Sequence, residues 1–304
     1  MQKILFDTDL LGDDLLALFL MAKDSDVQLL GVTAYGRRVC ALERCKAADS
    51  FLVDAGVCGI TFVPGVSRPL VMQPYPGCRF CDGVLNPLAA TWSGKRGNTI
   101  DTTLSGPEFI IHTIKAHPYQ VDLLCTGPLT NVALALSLDD SIATLVHSVT
   151  LMGGTWKACG NSSAVAEANI YNDPEAASIV FQRFPSITFV PLDTTLQVTI
   201  DRQHAEALPH SLMQQIIFSC CDSHAKRGEG GIMPLHDVLA YMVLKDPSIV
   251  TTQACSVQVE TRSPLTRGML CISFQKKSGH HICMNVDANR AKDWFLQALQ
   301  GSKT

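Results

Sequence analysis

From its first residues the chain alternates short apolar runs with stretches of helical periodicity. "KILF" (residues 3–6) reads as a buried strand and residues 13–22 as an apolar helix. "VQLLGVTAYG" (27–36) predicts the next strand and residues 42–54 the next helix. The series continues through "VDLLCT" (121–126), the helical "PLTNVALALSL" (128–138), "LVHSVTLMGG" (145–154) and "SITFVPLD" (186–193). Asp173-Pro174-Glu175 opens a further helix with a capping aspartate, a proline at the first helical position and an early acid. Strands spaced by helices predict an α/β fold, with a mostly parallel central sheet covered by helices on both faces. "SVQVET", "MLCISF" and "HICMNVD" follow one another closely near the C-terminus and predict a small antiparallel extension. With no repeat, low-complexity tract or linker in view, residues 1–304 read as one domain.

Composition narrows the classes. Of 304 residues, 47% are hydrophobic and 17% charged, enough apolar material for a packed interior and unlike a disordered chain. A formal net charge of −4 offers no basic stripe for a phosphate backbone, so nucleic acid is not an expected partner. Apolar runs such as residues 15–22 are too short to span a membrane. The first residues enter a strand without a basic leader, so a cytoplasmic location is expected. The twelve cysteines are scattered and read as reduced thiols. Cys78-Arg79-Phe80-Cys81 is a lone CxxC with no second pair at zinc-binding spacing.

Chemistry concentrates in "ILFDTDLLGDDLLALFL" (4–20), where Asp7, Asp9, Asp13 and Asp14 fall between two core-like segments. In parallel sheets, sites lie beyond the carboxyl ends of the strands, and all four acids sit on that rim. A helix N-terminus favours some negative charge, which accounts for Asp13 and Asp14. Four packed carboxylates repel one another, and a bound cation removes the conflict. An all-oxygen cluster suits calcium or magnesium.

Two families begin this way. Asp7-Thr8-Asp9 fits the D-x-D of haloacid-dehalogenase-like phosphatases, but Leu10-Leu11 stands where their Gly-Thr turn belongs. The stronger resemblance is to the inosine-uridine-preferring nucleoside hydrolases, whose opening motif is D-x-D-P-G-x-D-D. Further blocks follow in order: "CTGPLTNVALAL" (125–136), "LMGGTWKACGNSSAVAEANIYNDPEAA" (151–177), "MPLHDVLA" (233–240) and "LTRG" (265–268). The resemblance implies a nucleoside-hydrolase-like fold with a Rossmann-like core, and calcium-dependent cleavage of the N-glycosidic bond of a ribonucleoside. It assigns Ca2+ to Asp9, Asp14, Asp237 and the carbonyl of Thr126. Asp9 doubles as general base toward the attacking water, and His236 assists the leaving base. Asp13 and Asn161 would bind the 2′- and 3′-hydroxyls, with Glu167 and Asn169 at the 5′ end and Met152 against the sugar. Glu167 and Asn169, two apart, would point the same way from an extended segment. Taken alone, Asp237 reads as a helix cap and "AEAN" as a polar loop.

The pattern also departs from the family. Leu10-Leu11 replaces Pro-Gly, and the glycine comes one position late as Gly12, so an altered turn is expected. Arg37 and Arg79 stand where relatives often place asparagine and histidine, which would change the pocket for the base. His224, Lys226 and Arg227 precede "GEGG" in a polar stretch expected as a solvated loop. Two alternatives therefore stand beside the nucleosidase reading: a hydrolase of an atypical ribosyl conjugate, or a metal-dependent ribose- or nucleoside-binding protein that has lost turnover. A homodimer or homotetramer is expected by analogy.

Overall fold

The computed structural model describes residues 1–36, 39–71, 87–208, 211–228, 230–275 and 279–301. Its frame is a ten-stranded sheet. In chain order the strands are β1 (Gln2–Thr8), β2 (Val27–Ala34), β3 (Thr61–Pro64), β4 (Thr99–Ile100), β5 (Val121–Cys125), β6 (Ser148–Met152) and β7 (Thr188–Val190). After these come β8 (Thr199–Ile200), β9 (Met233–Pro234), β10 (Val250–Val259), β11 (Leu270–Ser273) and β12 (His280–Val286). Their order across the large sheet is β11-β10-β12-β7-β6-β5-β1-β2-β3-β4.

From β12 to β4 every neighbouring pair is parallel, and β10 joins β12 and β11 antiparallel. The expected α/β architecture with a small antiparallel edge is present. One detail differs: β12 is antiparallel to β10 but parallel to β7, so it is the hinge between the two regimes. β8 and β9 form a separate antiparallel pair that the sequence pattern did not single out.

Side chains along β1 alternate between two cores. Ile4 and Phe6 join a cluster with the helices Gly12–Lys23, Ala41–Asp54, Leu212–Lys226 and His236–Lys245. Leu5 points to the opposite cluster, built on Gly106–Ala116, Thr130–Leu138 and Pro174–Arg183. A strand buried on both faces reads as a continuous apolar run, which is why residues 3–6 signalled it so clearly. Asp173 caps Pro174–Arg183 by accepting from Ala176 N–H, as its motif predicts. The ten cysteines among the described residues are free. No helix among the described residues is long and apolar enough to cross a membrane.

The winding direction reverses between β1 and β5. From β1 the chain builds outward through β2, β3 and β4, then returns to lay β5 on the other side of β1. Such a switch point opens a crevice at the carboxyl ends of the two strands. Asp7 ties it together: its Oδ1 accepts from Thr33 Oγ1 on β2 at 2.6 Å and from Asn131 Nδ2 at 2.9 Å. Its Oδ2 is buried without a partner. Burial raises its pKa from 3.8 to about 7, against the pull of those two donors.

The unfolded chain therefore releases the Asp7 proton at lower pH than the folded one, and this group favours folding less as pH rises. Relative to Asp7→Asn, the wild type should be at its best below pH 4 and decline until about pH 7, by at most about 4 kcal/mol. Urea unfolding of both proteins across pH 4–8 measures the difference; a difference independent of pH contradicts the assignment.

Candidate active site

The first turn builds the floor of the crevice. Leu10 adopts φ 54°, a left-handed conformation uncommon for a non-glycine residue. Its side chain is buried, and its N–H donates to Thr8 Oγ1 at 3.1 Å. Leu10 occupies the proline position of the resembled motif, and a proline ring, fixed near φ −65°, could not take this conformation. The altered turn is thus real, but the left-handed residue is Leu10, whereas Gly12 simply opens the helix. Gly127 presses the loop after β5 onto this turn. A Cβ there would lie 2.8 Å from Asp9 N and 3.0 Å from the carbonyl carbon of Thr8.

Asp14 ends up with two jobs. Its Oδ2 accepts from Leu11 N–H at 2.9 Å, the helix-start role that local charge preference predicts. Its Oδ1 accepts from Thr8 Oγ1 at 2.5 Å and from Thr126 Oγ1 at 2.6 Å, joining β1 to the end of β5. Asp237 enters from the second residue of the helix His236–Lys245. Leu235 occupies the cap position with no side-chain cap bond, so Asp237 is not the cap it resembles in isolation. The β8–β9 pair, with Leu235 N–H bonded to Val198 O at 2.9 Å, fixes this entry point.

Asp13, Asp14 and Asp237 each bring an oxygen to within 4.8 Å of the others. Asp9 is half-buried beside them and feels the charge of Asp14. Burial first, and then the neighbouring acids, raise the pKa values of Asp9 and Asp237 well above the carboxylate range. Burial and Asp14 lift Asp13 to about 7. Arg44 partly offsets this at Asp9, donating from Nη1 to the Asp9 carbonyl at 2.5 Å. These are hard, negatively charged oxygens forced together in poor solvent, and a divalent cation such as calcium fits that donor set. Of the expected ligand residues, Asp14 and Asp237 lie in this group together with Asp13; Asp9 lies beside Asp14, and Thr126 reaches Asp14 through its hydroxyl.

The expected sugar residues line the same side. Asn161 is half-buried at a cavity, and its Oδ1 accepts from Ala168 N–H at 2.8 Å. Glu167 and Asn169 are not on an extended segment. Glu167 caps the helix Ala168–Asn172, and Asn169 lies within its first turn. The Glu167 carboxylate accepts from the N–H groups of Gly154, Asn169 and Ile170, while burial lifts its pKa to about 7. The helix arises because "AEAN" offers a capping acid followed by helix-compatible residues, a local signal that outweighs the two-residue spacing. Asn169 Nδ2 donates to the carbonyl of Thr126 at 2.9 Å and that of Met152 at 3.2 Å. Met152 itself is buried in the core at the end of β6.

A cavity of about 560 Å³ adjoins this group. Asn161, Gly160 and Cys159 form one wall and Leu192, Leu196, Ile232 and Pro234 the apolar sides. His236 reaches it with Nδ1 2.7 Å from Thr195 Oγ1. Burial, together with His224 and Arg227, lowers the pKa of His236 to about 3, so its imidazole is neutral. His224 and Lys226 belong to the helix Leu212–Lys226 and Arg227 is its C-cap, so this stretch is a helix end and not the expected loop. Arg37 and Arg79 lie outside the described residues, as do Cys78 and Cys81.

Motif reading did not find Arg44 or Thr195. Arg44 carried a signal nonetheless: with Ala41, Cys45, Ala48, Phe51 and Leu52 it falls on the buried stripe of its helix, an unusual place for an unassigned cation. Thr195 had no local pattern to mark it.

Comparison with known proteins agrees with this geometry. The family model described as inosine-uridine preferring nucleoside hydrolase matches residues 4–293. A protein of Leishmania major with that same name is 32% identical over 98% of both chains. Among solved structures, a plant nucleoside hydrolase superposes with a TM-score of 0.86 at 23% identity, covering 98% of this chain and 99% of its own. A purine-preferring ribonucleoside hydrolase from Gardnerella vaginalis gives 0.84 at 24% identity, covering 99% of each chain. With a family match along nearly its whole length and the acids of the motif gathered at the switch point of the sheet, the chain belongs to the inosine-uridine preferring nucleoside hydrolase family, a family of N-ribosyl hydrolases.

Proposed function

We propose that the protein hydrolyses the N-glycosidic bond of a ribonucleoside with one calcium ion held by Asp9, Asp14, Asp237 and the carbonyl of Thr126. The observation that carries this reading is the knot of carboxylates, in which burial and neighbouring acids raise the pKa of Asp9 and Asp237, beside a cavity of nucleoside-binding size. When bound, the ion supplies positive charge that offsets these acids, acidifies and orients a water, and attracts vicinal hydroxyls.

The chain's own groups perform the remaining work. Asp9, held through its carbonyl by Arg44, takes the proton of the water that attacks the anomeric carbon. As the bond from that carbon to the base nitrogen breaks, positive charge spreads over the ribosyl ring, and the surrounding carboxylates stabilise it. Asp13 and Asn161 orient the 2′- and 3′-hydroxyls, with Glu167 and Asn169 toward the 5′ end. Glu167 reaches that role only from a capped position, so its contribution is a fixed field and a rigid wall. His236, neutral and steadied at Nδ1 by Thr195, leaves Nε2 for the departing base.

Asp9→Asn should lower ribose release by between about 10²- and 10⁴-fold while the melting temperature stays within a few degrees. Near-normal turnover in that variant would remove Asp9 as the base. His236→Ala should cost about 10²-fold with inosine or uridine and much less with 4-nitrophenyl riboside, whose leaving group departs without a proton. Equal losses with both classes of substrate contradict a leaving-group role.

A further inference from the structure

The cavity that His236 lines is rich in basic groups. Asp237, grouped with Asp13 and Asp14, follows His236 in its helix. His224, Lys226 and Arg227 line the same cavity, with His224 and Arg227 close enough to act on His236, and no aspartate or glutamate is found among the described residues that line it. Lysine and arginine at a helix C-terminus complement the backbone dipole, which explains their presence on this helix. It does not explain why three basic positions within four residues open onto the same cavity. Leu196 and Ile232, exposed by 48% and 38%, form an apolar shelf at the same cavity. A leaving base on that shelf would lie beside His236 and the three basic side chains.

We propose that this cavity selects ribosides whose leaving group carries a negative charge, such as a carboxylate on a heteroaromatic ring. The proposal rests on the hydrolase reading above for the orientation of the substrate. Its chemistry is consistent with the reaction: the base departs with the bonding electron pair, and cations beside it attract that charge as it develops. A ring that already bears an anion also gains the attraction in the bound ground state. The anion belongs on the ring and not on the sugar, because in the hydrolase reading a 5′-phosphate would meet the buried Glu167 carboxylate.

Nicotinate and nicotinamide share a ring and differ by one charge, so their binding to the full chain in calcium tests the idea without requiring turnover. Nicotinate should bind about tenfold tighter, the preference should shrink in 0.5 M salt, and the double variant Lys226→Gln, Arg227→Gln should abolish it. The ratio of ribose release from nicotinate riboside to that from nicotinamide riboside should fall in the same variant. Equal affinity, a preference for the amide, a preference that survives the double substitution, or no binding of either base overturns the proposal. So does a Lys226- and Arg227-dependent preference for uridine 5′-phosphate over uridine, which would put the anion on the sugar. A retained nicotinate preference with no ribose released from any riboside would instead leave the anion site standing and refute hydrolysis.

Discussion

Mutual repulsion among carboxylates governs this structure. Asp9, Asp13, Asp14 and Asp237 come from the end of one strand and the starts of two helices, far apart in sequence, and are held where water cannot screen them well. Much of the local architecture serves to keep them there. Leu10 accepts a left-handed backbone, Gly127 omits a side chain so that two loops can touch, and Thr8 and Thr126 both donate to Asp14. Arg44 is buried in a helix largely to reach the Asp9 carbonyl. Such an arrangement opposes folding while the acids are charged, and the proposed divalent cation would offset that charge.

The topology of the sheet explains the location. At the switch between β1 and β5, two loops diverge and leave a crevice that no crossover covers. The short β8–β9 pair then delivers the helix start at His236 and Asp237 to the same rim. Asp13, Asp14 and Asp237 gather there, and His236 lines the cavity together with the basic end of the helix Leu212–Lys226.

Most of the fold was legible in the sequence because its central strands are buried on both faces and some helices, such as Pro174–Arg183, open on a side-chain cap. Residues 3–6 and Asp173-Pro174-Glu175 are examples in which local pattern and tertiary setting agree. The four acids were legible for the opposite reason, as charge where the pattern demands core. Other features depend on contacts between distant segments and leave little trace in a local window. The parallel pairing of β12 with β7 is one, and the bond from Thr195 to His236 is another. Glu167 and Asn169 show a competition between two local signals: their alternate spacing suggests a strand, whereas the capping acid wins and starts a helix. Leu10 shows that a departure from a motif can mark a rebuilt turn, with the left-handed residue moved to a new position.

The most direct test of the central claim is calorimetric titration of metal-free protein with calcium at pH 7.5, run in two buffers of different ionisation enthalpy. One ion should bind per chain with net release of protons from the acid knot, and Asp237→Asn should abolish or severely weaken that binding. Absence of binding, or binding that is undiminished in the variant and releases no protons, would contradict the account.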